Sequence, residues 1–290
     1  MPVILVTGAG GQLGRSLAQK AVLRPDWQFL FADRVALDID DPVSVEAYFN
    51  AHAIDFCINA AGYTAVDRAE QEPQLARSVN VDGPKNLAIN CRQHKAALIQ
   101  ISTDYVYHSR QNTPFEEDDP VTPQSVYAQT KWEGENAAIY NCPRTLVLRT
   151  SWIYSRFGHN FLTTMLRLGK ERKQLKVVYD QVGTPTFAGD MAETLFSIIH
   201  AIDSGDVPEE NWTGVFNYSP EGVTSWYDFA LAIFERARIP VQVIPIRSAD
   251  YPSAAVRPPF SVMSKEKIKS VFQLSLPHWK EGLVRCMENK

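Results

Sequence analysis

Val3-Ile-Leu-Val-Thr-Gly-Ala-Gly-Gly-Gln-Leu-Gly14 is the stretch that decides the fold class. The apolar run Val3–Val6 has the length of a strand. It ends at Gly8, and glycine recurs at Gly11, where a helical stretch running to Leu23 begins, and at Gly14. A buried strand, a tight turn and a helix are therefore predicted in succession. Glycine in such a turn lets the backbone close on a pyrophosphate. The helix N-terminus then offers free N–H groups and a partial positive charge to that anion. Gly8, Gly11, Gln12, Leu13 and Gly14 are the candidate residues of this cradle.

The same alternation continues along the chain. Strands are predicted at Phe29–Ala32, Phe56–Asn59, Ala97–Ser102 and Thr145–Arg149. Helical stretches lie between them at Val43–His52, opened by Asp41-Pro42, at Gln74–Lys95 and at Val126–Tyr140. This βαβ pattern builds an α/β fold, a doubly wound parallel sheet of Rossmann type. After about residue 150 the pattern changes. Helical stretches at Phe161–Arg172, Gly189–Ile202 and Trp226–Arg236 are separated by Pro-bearing loops such as Gly183-Thr-Pro-Thr186 and Arg257-Pro-Pro259. We expect a dinucleotide-binding domain over residues 1–150 and a smaller C-terminal α/β substrate domain over 151–290, with some later segments free to rejoin the first sheet.

The second strand runs into Asp33, 33 − 14 = 19 residues after Gly14. A carboxylate near that distance hydrogen-bonds an adenosine ribose and repels a 2′-phosphate, which favours NADH. Arg34 follows at once and suits a 2′-phosphate instead, so NADPH stays open. In Leu37-Asp-Ile-Asp40, Asp38 and Ile39 are placed to hold the adenine.

Composition narrows the partners. The 290 residues carry 29 Lys and Arg against 33 Asp and Glu, a net charge of −4, and 45% are hydrophobic. That is ordinary globular composition, and its mild acidity argues against a nucleic-acid partner. No apolar run approaches the length of a membrane span, and Val3–Val6 is too short for a signal peptide. Cys57, Cys91, Cys142 and Cys286 form no metal-like spacing and read as reduced thiols in a cytoplasmic protein. The six histidines are scattered, so no metal site is expected.

The chemistry concentrates in Tyr127-Ala-Gln-Thr-Lys131. Four residues apart on a helix, phenol and ammonium share a face. A neighbouring cation favours the phenolate and draws its pKa from about 10 toward working pH. The pair suits proton exchange with a carbonyl or hydroxyl oxygen. Ahead of it the fourth strand ends in Ile101-Ser-Thr-Asp-Tyr105. A hydroxyl at the C-terminal end of such a strand lies where ligands bind, so Thr103 can donate to the same oxygen.

Together these features resemble the extended short-chain dehydrogenase/reductase family. The resemblance runs over nearly the whole chain, through Gly11-Gln-Leu-Gly14, Asn59-Ala-Ala-Gly-Tyr-Thr-Ala-Val-Asp67, Ser102-Thr-Asp-Tyr-Val106, Tyr127-Ala-Gln-Thr-Lys131 and Arg149-Thr-Ser-Trp-Ile-Tyr154. It extends beyond the cofactor machinery into Asp180-Gln-Val-Gly-Thr-Pro-Thr186 and Arg257-Pro-Pro-Phe-Ser261. It implies reduction of the 4-keto group of dTDP-4-dehydro-L-rhamnose with NADPH or NADH, by a monomer or homodimer. It implies Thr103, Tyr127 and Lys131 as the catalytic set, and Ala60, Ala61, Gly62, Tyr63 and Thr64 along the cofactor. Thr103, Asp104 and Trp152 would meet the sugar, and Arg257 and Ser261 the nucleotide diphosphate. Nucleotide-sugar dehydratases of the family carry Asp-Glu where this chain has Asp104-Tyr105, so water elimination is disfavoured. Some members bridge a dimer through Mg²⁺, using a carboxylate just after the glycine turn. Here Gly14-Arg15-Ser16 has none, and Val262-Met-Ser264 stands where the family has Leu-Asp or Leu-Asn. The alternatives are a sugar-nucleotide epimerase, a reductase of another substrate, or a non-catalytic NADP-binding regulatory subunit like that of methionine adenosyltransferase.

Overall fold

The computed structural model describes residues 1–288. Its first half alternates strands and helices: β1 (Val3–Thr7), α1 (Gln12–Ala21), β2 (Gln28–Ala32), α2 (Pro42–Ala51), β3 (Phe56–Asn59), α3 (Val66–Ala69), α4 (Pro73–Arg77), α5 (Gly83–Gln93), β4 (Ala97–Thr103), α6 (Val126–Asn141) and β5 (Thr145–Thr150). The second half continues with β6 (Ile153–Tyr154), α7 (Phe161–Glu171), β7 (Gln174–Val178), β8 (Val182–Gly183), β9 (Thr186–Phe187), α8 (Ala188–Asp203) and α9 (Glu209–Trp212). It ends with β10 (Gly214–Tyr218), β11 (Thr224–Ser225), α10 (Trp226–Ala237), β12 (Gln242–Ile246), α11 (Glu266–Phe272) and α12 (Trp279–Glu288).

The central sheet has six strands in the order β10-β5-β4-β3-β1-β2. Every pairing in it is parallel. Because β3 returns to the opposite side of β1 from β2, the order reverses between β1 and β3. Ligands of open α/β sheets bind at such a switch point, outside the carboxyl ends of the strands. Strands β3, β4 and β5 are buried along their whole length, as a sheet covered by helices on both faces requires.

One face packs Leu13 and Leu17 of α1 with Met191, Leu195, Phe196 and Ile199 of α8. The other packs Val45 and Phe49 of α2 with Leu87, Ala88 and Cys91 of α5. A separate core joins α7, α10 and α12 through Leu162, Phe229, Ile233, Trp279 and Leu283. Thus two elements beyond residue 150 join the first half: β10 extends its sheet and α8 covers one face. Glycine at 214 with φ +99° opens β10 onto the free edge of β5.

The helical stretch expected over Gln74–Lys95 is instead broken into α4, a π-helical turn over Ser78–Asp82, and α5. Pro84, without an N–H, stands in the first turn of α5. The widened turn lets the Asn80 side chain accept from the Tyr63 N–H (2.8 Å) and donate to Thr130 Oγ1 (3.1 Å). It also presses on α6, where a Cβ on Gly134 would fall 1.9 Å from the Asn80 carbonyl.

Candidate active site

At the switch point the glycines are required by space. Gly8 has φ +64°, and a Cβ there would stand 2.7 Å from the Ala61 backbone. A Cβ on Gly14 would stand 2.5 Å from the Gly8 carbonyl oxygen and 2.7 Å from Ala9 Cα. Gly11 caps α1 with no side-chain hydrogen bond, so the first N–H groups of the helix are left to a ligand. The Gln12 amide oxygen accepts from Ser155 Oγ (3.1 Å), while Leu13 turns into the core. Beyond the turn lies a cavity of about 460 Å³ lined by Asp33, Arg34, Asp38, Ile39, Ala61 and Tyr63 among others. Ala60 and Gly62 also line it, and Thr64 is exposed just past its rim.

The polar groups of this cavity are partly engaged. Asp33 Oδ1 accepts from the N–H groups of Val35 and Ala36, each at 3.0 Å. Arg34 donates to Asp38 Oδ2 (3.3 Å) and more weakly to Asp40 (3.5 Å). The Asp38 carboxyl is raised above its ordinary value, first by its hydrogen bond with Asp40. Its Oδ1 is buried without a partner among the described residues. A glycine cradle that admits no Cβ, an uncapped helix start and an unpartnered polar atom beside a cavity fit a dinucleotide, with the pyrophosphate on the α1 terminus.

The carboxyl ends of β1 and β3 are tied to the middle of β4 by a buried chain of amides and a hydroxyl. Thr7 Oγ1 donates to Asn59 Oδ1 (2.6 Å), and Asn59 Nδ2 donates to Gln100 Oε1 (2.7 Å). At the end of β4, Thr103 Oγ1 accepts from the Tyr105 N–H and donates to Asp104 Oδ1, both at 3.2 Å. Tyr127 stands in the first turn of α6, which Ser125 caps by accepting from the Ala128 N–H (3.2 Å). Its ring meets Tyr105 edge-on at 5.8 Å.

Burial pushes the Tyr127 phenol up to about 12, with Thr103 drawing it partly back. This corrects the expectation of a phenol pulled toward neutrality by its neighbour. The desolvated ring is favoured in its neutral form, and the Lys131 ammonium donates instead to the Ile101 carbonyl at 2.7 Å. Burial lowers Lys131 to about 8, opposed by the Glu135 carboxylate. A Cβ on Gly62 would lie 3.8 Å from Lys131 Nζ, so the ammonium borders the loop after β3.

Asp104 is almost wholly buried, and desolvation pushes its carboxyl up to about 7, with the Ser261 and Thr103 hydroxyls holding it lower than burial alone would. Trp152 is half-buried at φ +46°, a rare conformation for so bulky a residue. It stacks on Trp226 at 3.6 Å. A Cβ on Gly183 would fall 2.7 Å from Trp152 and 3.0 Å from Ser261 Oγ, so the bare glycine lets these two approach. Arg257 grips Asp67 with both terminal nitrogens, at 2.6 and 3.1 Å, which lowers Asp67 to about 2. Its guanidinium is therefore held by a carboxylate from α3, a contact invisible in the sequence. Residues separated by some 150 positions, Thr103–Asp104 and Arg257–Ser261, meet at one end of the sheet.

Residues 1–290 match the family of the RmlD substrate binding domain. The chain belongs to this family. Within it, the dTDP-4-dehydrorhamnose reductase of Aggregatibacter actinomycetemcomitans is 40% identical over 290 residues, covering 98% of this chain and 97% of the relative. A crystal structure of a dTDP-4-dehydrorhamnose reductase from Clostridium acetobutylicum superposes with TM-score 0.91 at 39% identity, covering 99% of this chain and 98% of that one. The Bacillus anthracis enzyme of the same name, in complex with NADP, gives TM-score 0.94 at 32% identity with both chains fully covered. The family's structures share this parallel α/β sheet. Sequence reasoning missed Asn80 and the buried pair Glu135–Arg149. Glu135 carried a signal, since it continues the four-residue spacing of Tyr127 and Lys131.

Proposed function

We propose that this protein is an NADPH- or NADH-dependent reductase that converts dTDP-4-dehydro-L-rhamnose to dTDP-L-rhamnose, a precursor of surface polysaccharide. The observation that carries the reading is the convergence of the glycine cradle with Thr103, Tyr127 and Lys131 at one switch point, in a chain whose full-length relatives are reductases of this name. When bound, the nicotinamide cofactor supplies the hydride. Gly8, Gly11, Gln12, Leu13 and Gly14 hold the pyrophosphate. Asp33 and Arg34 face the adenosine ribose, Asp38 and Ile39 the adenine, and Ala60, Ala61, Gly62, Tyr63 and Thr64 the length of the dinucleotide.

At neutral pH a phenol with a pKa near 12 is fully protonated, so Tyr127 is ready to donate its proton to the C4 oxygen as that oxygen gains charge. Lys131 holds the nicotinamide ribose, and its positive charge favours the phenolate left behind. Thr103 orients the carbonyl by a hydrogen bond. Asp104 and Trp152 meet the sugar, and Arg257 and Ser261 the diphosphate, for which a guanidinium fork is well suited. The protein thus contributes position and charge. It acts in the cytoplasm as a monomer or homodimer. The four buried free cysteines support a reducing compartment.

The test is a spectrophotometric assay with enzymatically made dTDP-4-dehydro-L-rhamnose and each cofactor in turn. Net NAD(P)H consumption is expected. Tyr127→Phe should lower kcat by at least about a hundredfold, the usual worth of a general acid, while cofactor still binds by fluorescence titration. Near-normal turnover of that variant would sink the assignment. Redox-neutral conversion would favour an epimerase, and cofactor binding without turnover a regulatory subunit.

A further inference from the structure

Beneath the Tyr127–Lys131 pair lies a buried ion pair that the proposed reaction does not use. Glu135 stands one helical turn beyond Lys131 and two beyond Tyr127, on the same face of α6. Arg149 of β5 donates Nη2 to Glu135 Oε2 at 2.7 Å and Nε to both carboxylate oxygens at 3.1 Å. The two side chains are only 4% and 2% exposed. The Ser102 hydroxyl, one residue before Thr103, donates a short bond to the same carboxylate. Arg149 Nη1 donates to the Tyr107 hydroxyl (2.7 Å), which donates to Asn217 Oδ1 on β10 (3.1 Å).

We propose that Glu135, held by Arg149, is a positioning residue for the reacting pair, keeping the Lys131 ammonium charged and directed at the cleft. This rests on the reading of Tyr127 and Lys131 as that pair. A buried ion pair is a poor device for stability alone, because apolar residues of similar volume commonly serve as well or better. Its placement is what sets this one apart. The carboxylate touches the strand end that carries Thr103 and shares a helix face with Lys131. The groups facing Lys131 from the packed elements are the Ile101 carbonyl on β4, the loop at Gly62, and Tyr127 and Glu135 on α6. The carbonyl is neutral and Tyr127 is a protonated phenol, so Glu135 supplies the negative charge that opposes the desolvation of the ammonium. Arg149 keeps that carboxylate from turning away, by the three hydrogen bonds it donates to it.

The test follows Lys131 directly in the cofactor-free protein, by NMR of ¹³Cε-labelled lysine, the signal being assigned by its loss in Lys131→Arg. Glu135→Gln alone strands a buried guanidinium and is prone to misfold, so the decisive variant is Glu135→Gln with Arg149→Met, which removes both charges. The Lys131 titration midpoint is expected to fall by up to about one pH unit in the double variant, the loss of the carboxylate being partly offset by the loss of the Arg149 cation. The alkaline limb of the kcat profile should move down by the same amount, with cofactor affinity at pH 6 unchanged. Glu135→Asp, which keeps the charge, should hold the midpoint near that of the parent. A folded double variant whose Lys131 midpoint matches the parent would overturn the proposal and leave the pair a purely structural one. Lack of turnover in the parent protein would instead overturn the reductase reading, because the NMR titration needs no reaction.

Discussion

Asp104 shows how much one residue's position can change its chemistry. In the unfolded chain its carboxyl titrates at an ordinary 3.8, whereas burial beneath Thr103 and Ser261 raises it to about 7. One oxygen, Oδ2, has no hydrogen-bond partner among the described residues. The folded pKa lies above the unfolded one, so protonation favours the fold. Below pH 3.8 both states are neutral and nothing is lost; as pH rises to 7 the unfolded chain ionises first, and stability falls. Above pH 7 the full cost of the buried charge is felt, up to about 4 kcal/mol for a shift of this size. Asp104→Asn removes that cost. Its stability relative to the parent should rise steadily between pH 4 and pH 7 in urea titrations, and a difference independent of pH would contradict this account. The sequence marked Asp104 as a sugar contact by resemblance alone; the orphaned oxygen and the raised pKa arise from burial, which no local pattern encodes.

The β1–α1 element was the most legible part of the chain, because its signals are local: an apolar run, three spaced glycines and a helical stretch. The expected helix, Gly11–Leu23, and the observed one, Gln12–Ala21, differ only at the frayed ends. At Gly14, alanine would gain about 1 kcal/mol of helix propensity. Its Cβ, however, would lie 2.5 Å from a backbone carbonyl that cannot turn aside. Overpacking of this kind costs roughly 1–3 kcal/mol, so the clash wins. Gly14→Ala should lower stability by up to about 2 kcal/mol and weaken cofactor binding measured by fluorescence. Gly10→Ala, where nothing lies within 4 Å, should leave the stability of the cofactor-free protein unchanged. Equal stability losses in the two variants would refute the steric argument. By contrast, the 74–95 stretch was expected as one helix although it carries a local break signal. Gly83-Pro84 marks where the second helix starts, but the π turn before it goes with the contacts of Asn80 to Tyr63 and Thr130, which are tertiary.

At the scale of the whole molecule, the segment 253–264 stitches the two halves together. Arg257 and Ser253 bond Asp67, the Ser261 N–H donates to the Val182 carbonyl (2.8 Å), and the Phe115 N–H to the Val262 carbonyl (2.8 Å). The Asp67–Arg257 pair contributes little to stability, since Asp67 is nearly half exposed and such pairs give about 1 kcal/mol or less. Its low pKa means that this contribution is present at neutral pH and lost as pH falls from 3.8 toward 2. What the pair does is fix the guanidinium beside Tyr105, where the proposed function places the diphosphate. Arg257→Ala should therefore shift the melting temperature by only a few degrees. It should raise KM for the dTDP-sugar at least about tenfold, the worth of one charge-assisted hydrogen bond, with cofactor Kd unaffected. An unchanged KM would remove Arg257 from the substrate site.

Periodicity and spacing by themselves determined the parallel sheet, the glycine cradle and the Tyr127–Lys131 face, because each is set within one element or one strand–turn–helix unit. Tertiary structure alone decided that β10 extends the first sheet and α8 covers it, that Glu135 meets Arg149, and that Arg257 and Ser261 arrive beside Asp67 and Asp104. It also decided the protonation of the site. Tyr127 is raised, Lys131 lowered and Asp104 brought near neutrality by desolvation. Desolvation depends on what the rest of the chain places over a residue, and the residues that cover this site come from distant parts of the sequence.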